Sequence, residues 1–533
     1  MVSEIQKQIQ KVLKSAVDIE VVASEKKEFG HYTTNVAFKL AKDLKKSPME
    51  IAKEIESKAK SQKPTVFSKV EALPPGFVNF WLKPEVLHKE LKTILKEKKK
   101  YGQSHVKSHV SKVNIEFVSA NPTGPLTMAN GRGGFYGDVL ANVLEKAGLD
   151  VTREYYVNDA GNQIKLLGES ILAESGKIPQ KEEYYKGSYI KQLKGKTAEQ
   201  AAVVLLKEIK VSLKKSGIKH DIWFSEDKNL HKKKELTTTL EFLREKGLTH
   251  KKDGAEWLGD NVVIKSDGQP TYFLADVAYH YDKFIKRKFD TAIDIWGADH
   301  HGYIARMKHG VQAIGVDPKR LQIVIMQLVR LISGGKEVKM SKRTGEFITL
   351  DELIQEVGLD VTRFFFLMHA PETHMDFDMD LAKERSQKNP VYYAQYAYVR
   401  SANILVKSKK SKVKSDLSPL KSDSEIRLMQ DLVKFPDIVA QTAKDYQVHR
   451  LTTYALELAR ALHNFYERER VIGAGPVRDR ARAQARSEGP LGRAVSNGIG
   501  NDLQGARLAL VLATKIVFEN LFDLLGISKP KKM

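Results

Sequence analysis

Apolar residues recur at helical spacing over 3–15 and 33–60, and a Pro-Gly turn interrupts the mostly apolar run ALPPGFVNFWL at 72–82. A 3.6-residue period lays one stripe of a helix against a core, so the chain opens with a helix-containing unit that also carries extended runs. The stretch KEKKKYGQSHVKSHVSK (96–112) has no such period and reads as a linker or mobile arm. At Val113 the period becomes two. Val113, Ile115 and Phe117 alternate with Asn114 and Glu116, predicting a strand over 113–119. A helix follows over 133–148, where Phe135, Val139, Leu140, Val143 and Leu144 share a face and Gly148 supplies the C-terminal stop.

Beyond DVTREYYV (150–157), residues 165–260 are charged and helix-rich, as expected of an insertion. Strand-like runs return at 261–265, 291–296 and 321–327, separated by helical patterns. Strands alternating with helices predict a parallel sheet covered on both faces, with ligands bound outside the carboxyl ends of its strands. From about 385 onward the strand signals stop and long amphipathic helices dominate. A chain of 533 residues is too long for one core, and these shifts divide it at 1–106, 107–384 and 385–533. The expected fold class is α/β: a parallel-sheet central domain, an α+β domain before it and an α-helical bundle after it.

Composition narrows the partners. The formal net charge is +22, partly clustered in KEKKK (96–100), HKKKE (231–235), KSKKSKVK (407–414) and KPKKM (529–533). Counterion release makes such a surface attractive to polyanions, although a lysine-rich solvated surface reads the same way. There is no cysteine, which excludes disulfides, thiolate metal sites and a cysteine nucleophile. No apolar run approaches the roughly 18 residues of a membrane span, and the N-terminus lacks the apolar core of a secretory signal. A cytoplasmic location is expected, with no metal site held by the protein alone.

Three loops following predicted strands are more polar than plain turns require: SANPTGPLTMANGR (119–132), WGADHHGY (296–303) and GGKEVKMSKRTGEF (334–347). The first joins a strand to a helix, where free backbone N–H groups favour a phosphate. The second offers Asp299, His300 and His301, and the third Lys339, Lys342 and Arg343. Brought to one end of a sheet, they suit a nucleoside triphosphate.

KMSKR (339–343) resembles the KMSKS-type loop of class I aminoacyl-tRNA synthetases. SANPTGPLTMANGRGGFYGDVLANVLEKAG, TREYYVNDAGNQ (152–163), GQPTYFLADVAYH (268–280) and NPVYYAQYAYVR (389–400) resemble segments of the arginyl-tRNA synthetase family. FGHYTTNVAFKLAK and PPGFVNF are similar to that family's additional tRNA-contacting domain, and ARLALVLATKIVFENLFDLLGISKPKKM to its C-terminal end. The resemblance spans nearly the whole chain. It implies a Rossmann-type catalytic domain between two tRNA-binding domains, and a monomer. It implies that arginine and ATP, with Mg²⁺, form arginyl-adenylate, whose arginyl group passes to the 3′ end of tRNA(Arg).

By the same resemblance, Lys339 and Lys342 hold phosphates and act catalytically with Thr127 and Asn130. Pro125, Ala129, Gly131, His300, Met340 and Ser341 line the ATP site. Asn121, Asn158, Tyr272 and Asp276 bind arginine, although core packing for Tyr272 and a helix-surface charge for Asp276 compete with that role. Tyr392, Tyr396 and Arg400 contact tRNA, and their neighbours Tyr393 and Gln395 share the helix; single-stranded anticodon bases stack well on such rings. Core packing competes for these tyrosines too.

Two departures stand out. Thr127 and Asn130 replace the two histidines of the class I motif, and Ala129 replaces its glycine. A hydroxyl and a carboxamide still donate hydrogen bonds but carry no charge. The alternative is therefore a tRNA-binding relative without aminoacylation; a further one is an enzyme adenylating another cationic substrate. Near the C-terminus, 445–514 contains no lysine, and 473–504 is rich in Gly, Ala and Arg. That stretch reads as a flexible insertion, an altered reading frame or an arginine-rich patch touching tRNA.

Overall fold

In a computed structural model of the chain, residues 19–24, 29–61, 66–104, 110–338, 348–408, 413, 415–472 and 500–533 are described, together with Gln6 and Gln10. The first unit holds β1 (Val21–Ala23), β2 (Tyr32–Thr34), β3 (Phe67–Leu73) and β4 (Phe77–Leu82) in one antiparallel sheet of order β1-β2-β4-β3. The helical pattern over 33–60 forms two helices rather than one, Val36–Leu44 and Pro48–Ser61. Lys45 turns left-handed at φ 51°, and Pro48 opens the second helix behind Ser47, whose backbone N–H and hydroxyl both donate to the Glu50 carboxylate.

Within the expected linker at 96–112, residues 96–104 form regular structure packed on the fold and Lys112 opens a strand. The helix Pro84–Glu97 runs into a 3₁₀ turn at Lys98–Lys100, and Tyr101 is buried against Phe435 with ring centroids 6.0 Å apart. One aromatic anchor fixes a stretch whose charge hides it from periodicity. The first unit also docks on the C-terminal helices: the Tyr32 hydroxyl donates to Asp437 Oδ2 at 3.2 Å, and His88 Nε2 lies 3.2 Å from the Leu420 carbonyl.

The central sheet is fully parallel. It is built from β5 (Lys112–Glu116), β6 (Asp150–Val157) and β7 (Ile222–Ser225). The three-stranded antiparallel sheet of β8 (Thr249–Lys252), β9 (Ala255–Leu258) and β10 (Asn261–Ile264) intervenes before β11 (Thr291–Gly297) and β12 (Leu321–Met326) complete the main sheet. Its order is β12-β11-β5-β6-β7. Two expectations change here. The run at 261–265 belongs to the antiparallel sheet, and the stretch read as a helix-rich insertion supplies the edge strand β7. A four-residue strand is too short for its period to register. The helix-rich part is Asn162–Glu174, Ser188–Gln192 and Ala198–Lys215, packed around Ile164, Leu167, Ile171, Ile190 and Leu205.

The helix after β5 begins at Met128, not 133, and runs to Lys146. Its glycines are spaced for close packing. A Cβ at Gly131 would lie 2.6 Å from Leu350 Cδ1, one at Gly134 2.8 Å from Ile218 Cδ1, and one at Gly137 would collide with the Phe117 ring. Intrinsic helix propensity argues against glycine here, and packing overrides it. A small sheet follows the main one: β13 (Val329–Ser333) pairs antiparallel with β14 (Lys336–Glu337) and parallel with β15 (Met375–Asp378). The C-terminal unit packs Pro390–Lys407, Asp423–Val433, Phe435–Asp445, His449–Arg468 and Asn501–Leu525. Most of the arginine-rich stretch, 473–499, lies outside the described residues. Among the described residues no helix is long and apolar enough to cross a membrane.

Candidate active site

A cavity of about 630 Å³ opens at the carboxyl ends of β5, β6 and β11. The loop leaving β5 forms one wall. Val118 and Ser119 adopt φ 70° and 35°, a left-handed backbone that costs a β-branched residue on the order of 1–3 kcal/mol. The bend is held from β6. The Ser119 hydroxyl accepts from the Tyr156 N–H and donates to Glu116 Oε1, both at 3.0 Å, while the Tyr155 hydroxyl donates to the Ala120 carbonyl at 2.7 Å.

Six of the residues singled out in the sequence line this cavity: Asn121, Asn130, Asn158, Asp276, Asp299 and His300. Glu116 and Asp276 also present two carboxylates to it, and Glu226 lies just behind. Their partners differ. Glu116 is bonded at 2.9 Å by the ammonium of Lys283, which is fully buried and also bonds Asp294 at 2.8 Å. Glu226 receives the Asn158 carboxamide at 3.2 Å, once that amide is turned so that its nitrogen faces acceptors, and lies 3.2 Å from His231. Asp276 is bonded instead by a neutral group, the Tyr303 phenol, at 2.6 Å. Burial pushes its carboxyl up to about 6, and the charges of Glu116 and Glu226 push the same way; the Tyr303 bond and His280 oppose them. Such a carboxylate favours a cationic ligand.

Thr127 and Asn130 meet each other. Thr127 is the N-cap of the helix, its backbone N–H donating to Asn130 Oδ1 at 2.9 Å and its hydroxyl to the same oxygen at 2.8 Å. The Asn130 N–H returns a long bond of 3.4 Å to the Thr127 hydroxyl. This capping box occupies the hydroxyl and leaves Asn130 Nδ2 as the side-chain donor facing the cavity. Ala129 is exposed, Gly131 is buried against Leu350, and Pro125 faces a separate groove beside Lys207 and Lys215. Tyr272, 56% exposed, has its hydroxyl near Gly161 and does not line the cavity. His300 stands at the mouth, 3.5 Å from Asp299, its ring 6.1 Å from that of Trp296.

Lys339, Met340, Ser341 and Lys342 lie outside the described residues, but both ends of their loop are tied down. Val338 N–H donates to the Leu331 carbonyl at 2.9 Å, and Leu350 N–H donates to the Leu126 carbonyl at 2.9 Å, beside a bridge between Thr127 and Thr349. The return limb thus meets the first turn of the Met128–Lys146 helix.

Comparison with known proteins decides what this layout belongs to. The model of the class I (R) tRNA synthetase catalytic domain matches residues 90–183 and 170–365. That of the arginyl-tRNA synthetase N-terminal domain matches 2–82, and that of the DALR anticodon-binding domain 394–486 and 497–533. An arginine–tRNA ligase of Acetivibrio thermocellus is 40% identical over 589 residues, covering 100% of both chains. The chain belongs to the arginyl-tRNA synthetase family. Its activity is that of an arginine–tRNA ligase. A second such ligase, from Caldanaerobacter subterraneus subsp. tengcongensis, is 39% identical, covering 97% of this chain and 94% of that one. The arginyl-tRNA synthetase structure of Thermus thermophilus shares the fold at a TM-score of 0.79 over 100% of both chains, with 19% identity.

In this synthetase the C-terminal residues expected to meet tRNA form a cluster on one helix pair. Arg400 stacks over the Tyr466 ring at 3.8 Å, and the Tyr393 and Tyr396 rings lie 5.0 and 5.6 Å from that of His463. Tyr392 is partly buried on the same helix. Gln395 is different: it is buried and bonds Asp360 at 2.8 Å and the Ser528 carbonyl at 3.2 Å, a tie within the fold. Sequence reasoning missed Tyr303 as the partner of Asp276 and Lys283 as the partner of Glu116. Each acts through a neighbour distant in sequence, which no local spacing reveals.

Proposed function

We propose that the cavity binds arginine with its guanidinium on Asp276 and its carboxylate toward Asn130, where the α-phosphate of ATP is presented. The observation that carries this reading is Asp276 itself, a carboxylate held by a neutral phenol while its acidic neighbour Glu116 has a cation. Asn121 and Asn158 orient the polar groups of the amino acid.

The arginine carboxylate oxygen attacks the α-phosphorus, the bond to the bridging oxygen breaks and pyrophosphate leaves. A hydroxyl of the tRNA 3′-terminal adenosine then attacks the acyl carbon, and AMP departs with its electron pair. Negative charge builds on phosphate oxygens in the first step, so positioned donors lower its barrier. Asn130 Nδ2 and the N–H groups of the first helical turn supply neutral donors there. Thr127 acts by holding Asn130 through the capping box. Lys339 and Lys342 hold the β- and γ-phosphates, with Met340 and Ser341 beside them, and Mg²⁺ arrives with ATP as part of the nucleotide substrate. Pro125, Ala129 and Gly131 shape the approach to that helix, and His300 meets the adenosine.

Tyr392, Tyr396 and Arg400 present the anticodon-reading face. The domain limits follow at 1–106, 107–384 and 385–533, and the protein works as a cytoplasmic monomer. The test is Asp276→Asn, assayed by arginine-dependent tRNA charging. Leaving the guanidinium without its anion costs about 2–4 kcal/mol, raising the arginine KM roughly 30- to 1,000-fold. An unchanged KM contradicts the reading.

A further inference from the structure

Two tyrosines of the helix-rich stretch between β6 and β7 reach the cavity from outside the main sheet. Tyr185 and Tyr189 both line it, one just before and one within the short helix Ser188–Gln192. Both rings also pack on that stretch's own small core of Ile164, Leu167, Ile171 and Ile190, and both are half-buried. Each ring is therefore backed by packed side chains and presented to the cavity. Tyr185 is fixed at two points: its hydroxyl donates to Gln163 Oε1, and its backbone N–H donates to Ser170 Oγ at 3.0 Å. Tyr189 overlies the loop leaving β5, since a Cβ on Gly124 would lie 3.2 Å from its phenol oxygen. Burial holds the Tyr189 phenol well above its usual range, and the Tyr185 phenol beside it pushes the same way, so that ring stays neutral. A second aromatic wall comes from the end of β11 and the turn after it, where the Trp296 ring lies 6.1 Å from that of His300 and 6.0 Å from that of Tyr303. β11 and β6 flank β5 on opposite sides.

We infer that Tyr185 and Tyr189 form the platform on which the 3′-terminal adenosine of tRNA stacks for the transfer step. This rests on the reading above, in which arginine lies between Asp276 and Asn130 and the adenosine of ATP meets His300. Two adenosines must then reach one acyl group, and the cavity has two aromatic walls. The wall after β11 takes ATP, which leaves the tyrosine pair for tRNA. The place of the pair suits the chemistry. Tyr189 overlies Gly124 in the loop that carries Asn121 and leads to Asn130, so a base stacked there brings its ribose hydroxyls toward the arginine carboxylate. The neighbouring charge suits RNA as well: Pro125, next to Gly124, faces the groove lined by Lys207 and Lys215, cations for the phosphates that precede the terminal nucleotide. A neutral phenol ring offers a purine a stacking face without competing for those phosphates. The tyrosines form no bond to the reacting atoms; they hold the nucleophile in place.

The test measures single-turnover transfer from supplied arginyl-adenylate to subsaturating tRNA ending in adenosine or in cytidine, for wild type, Tyr189→Phe, Tyr189→Leu and Tyr185→Leu. Losing one ring is expected to slow transfer to the adenosine-ended tRNA about 5- to 150-fold, and to cost the cytidine-ended tRNA less, because its single-ring base overlaps a phenol less. Tyr189→Phe keeps the ring and is expected to stay within about twofold of wild type, as is the ATP KM of every variant in pyrophosphate exchange at saturating tRNA. Equal losses on both tRNAs, the mark of a purely structural role, overturn the inference; so does a raised ATP KM with normal transfer. A second measurement uses the wild type alone: tRNA ending in 2-azidoadenosine is crosslinked by light and the labelled residue identified. Label on Tyr185 or Tyr189 supports the platform, and label in 296–303 or anywhere else overturns it. Failure of the underlying reading shows separately, as an unchanged arginine KM in Asp276→Asn.

Discussion

The Tyr303 phenol donates to Asp276 Oδ2 at 2.6 Å, and this neutral donor bonds the carboxylate that faces the cavity. Asp276 is raised to about 6 by burial, and the Tyr303 bond holds it lower than burial alone would. Arginine binding needs the carboxylate, and the guanidinium stays charged throughout. In wild type, kcat/KM for arginine is therefore flat above about pH 6 and falls roughly tenfold per pH unit below it. Binding near pH 6 releases a proton. In Tyr303→Phe the lost bond moves that limb upward by about one pH unit. A limb that stays in place, measured by charging at saturating ATP, contradicts the assignment.

Asn130 carries two roles that one substitution separates. Asn130→Asp keeps an oxygen for the Thr127 N–H and so keeps the capping box, and an acid at this position suits the helix dipole. It removes the Nδ2 donor and places an anion where phosphate is proposed to sit. Stability is expected to stay within about 1 kcal/mol of wild type, while kcat/KM for ATP falls at least about a hundredfold. Urea unfolding and pyrophosphate exchange read the two effects independently.

Gly131, placed at the nucleotide by its position in the motif, is buried with Leu350 packed against it. Gly131→Ala sets a methyl 2.6 Å from Leu350 Cδ1 and is expected to cost about 1–3 kcal/mol. Leu350→Ala vacates that space, so the double variant recovers part of the loss, and the cycle gives a coupling of about 0.5–3 kcal/mol. Additive losses, with an ATP KM that rises in Gly131→Ala, would return this glycine to the nucleotide.

Much of the fold was legible because its signals are local. The two-residue period at Val113–Phe117 and the polar loops after β5 and β11 each lie within a few residues. The missed features are those in which the partner is remote. β7 is four residues long and gains its meaning from β6; Tyr101 is fixed by Phe435, 334 residues away in the chain. Gly131, placed at the nucleotide by resemblance, faces Leu350, and Gly134 and Gly137 likewise face side chains of other elements, Ile218 and Phe117. Thr127 and Asn130 were legible as donors, but the capping box that assigns one donor to the helix and leaves the other to the cavity appears only in three dimensions.

The most direct test of the account is charging of tRNA(Arg) with labelled arginine by the wild-type protein, run beside ATP–pyrophosphate exchange with and without tRNA. The account predicts charging with arginine and exchange that appears only when tRNA is present, so that the neutral pair Thr127 and Asn130 serves a working site. Tight binding of tRNA with neither charging nor exchange would contradict it.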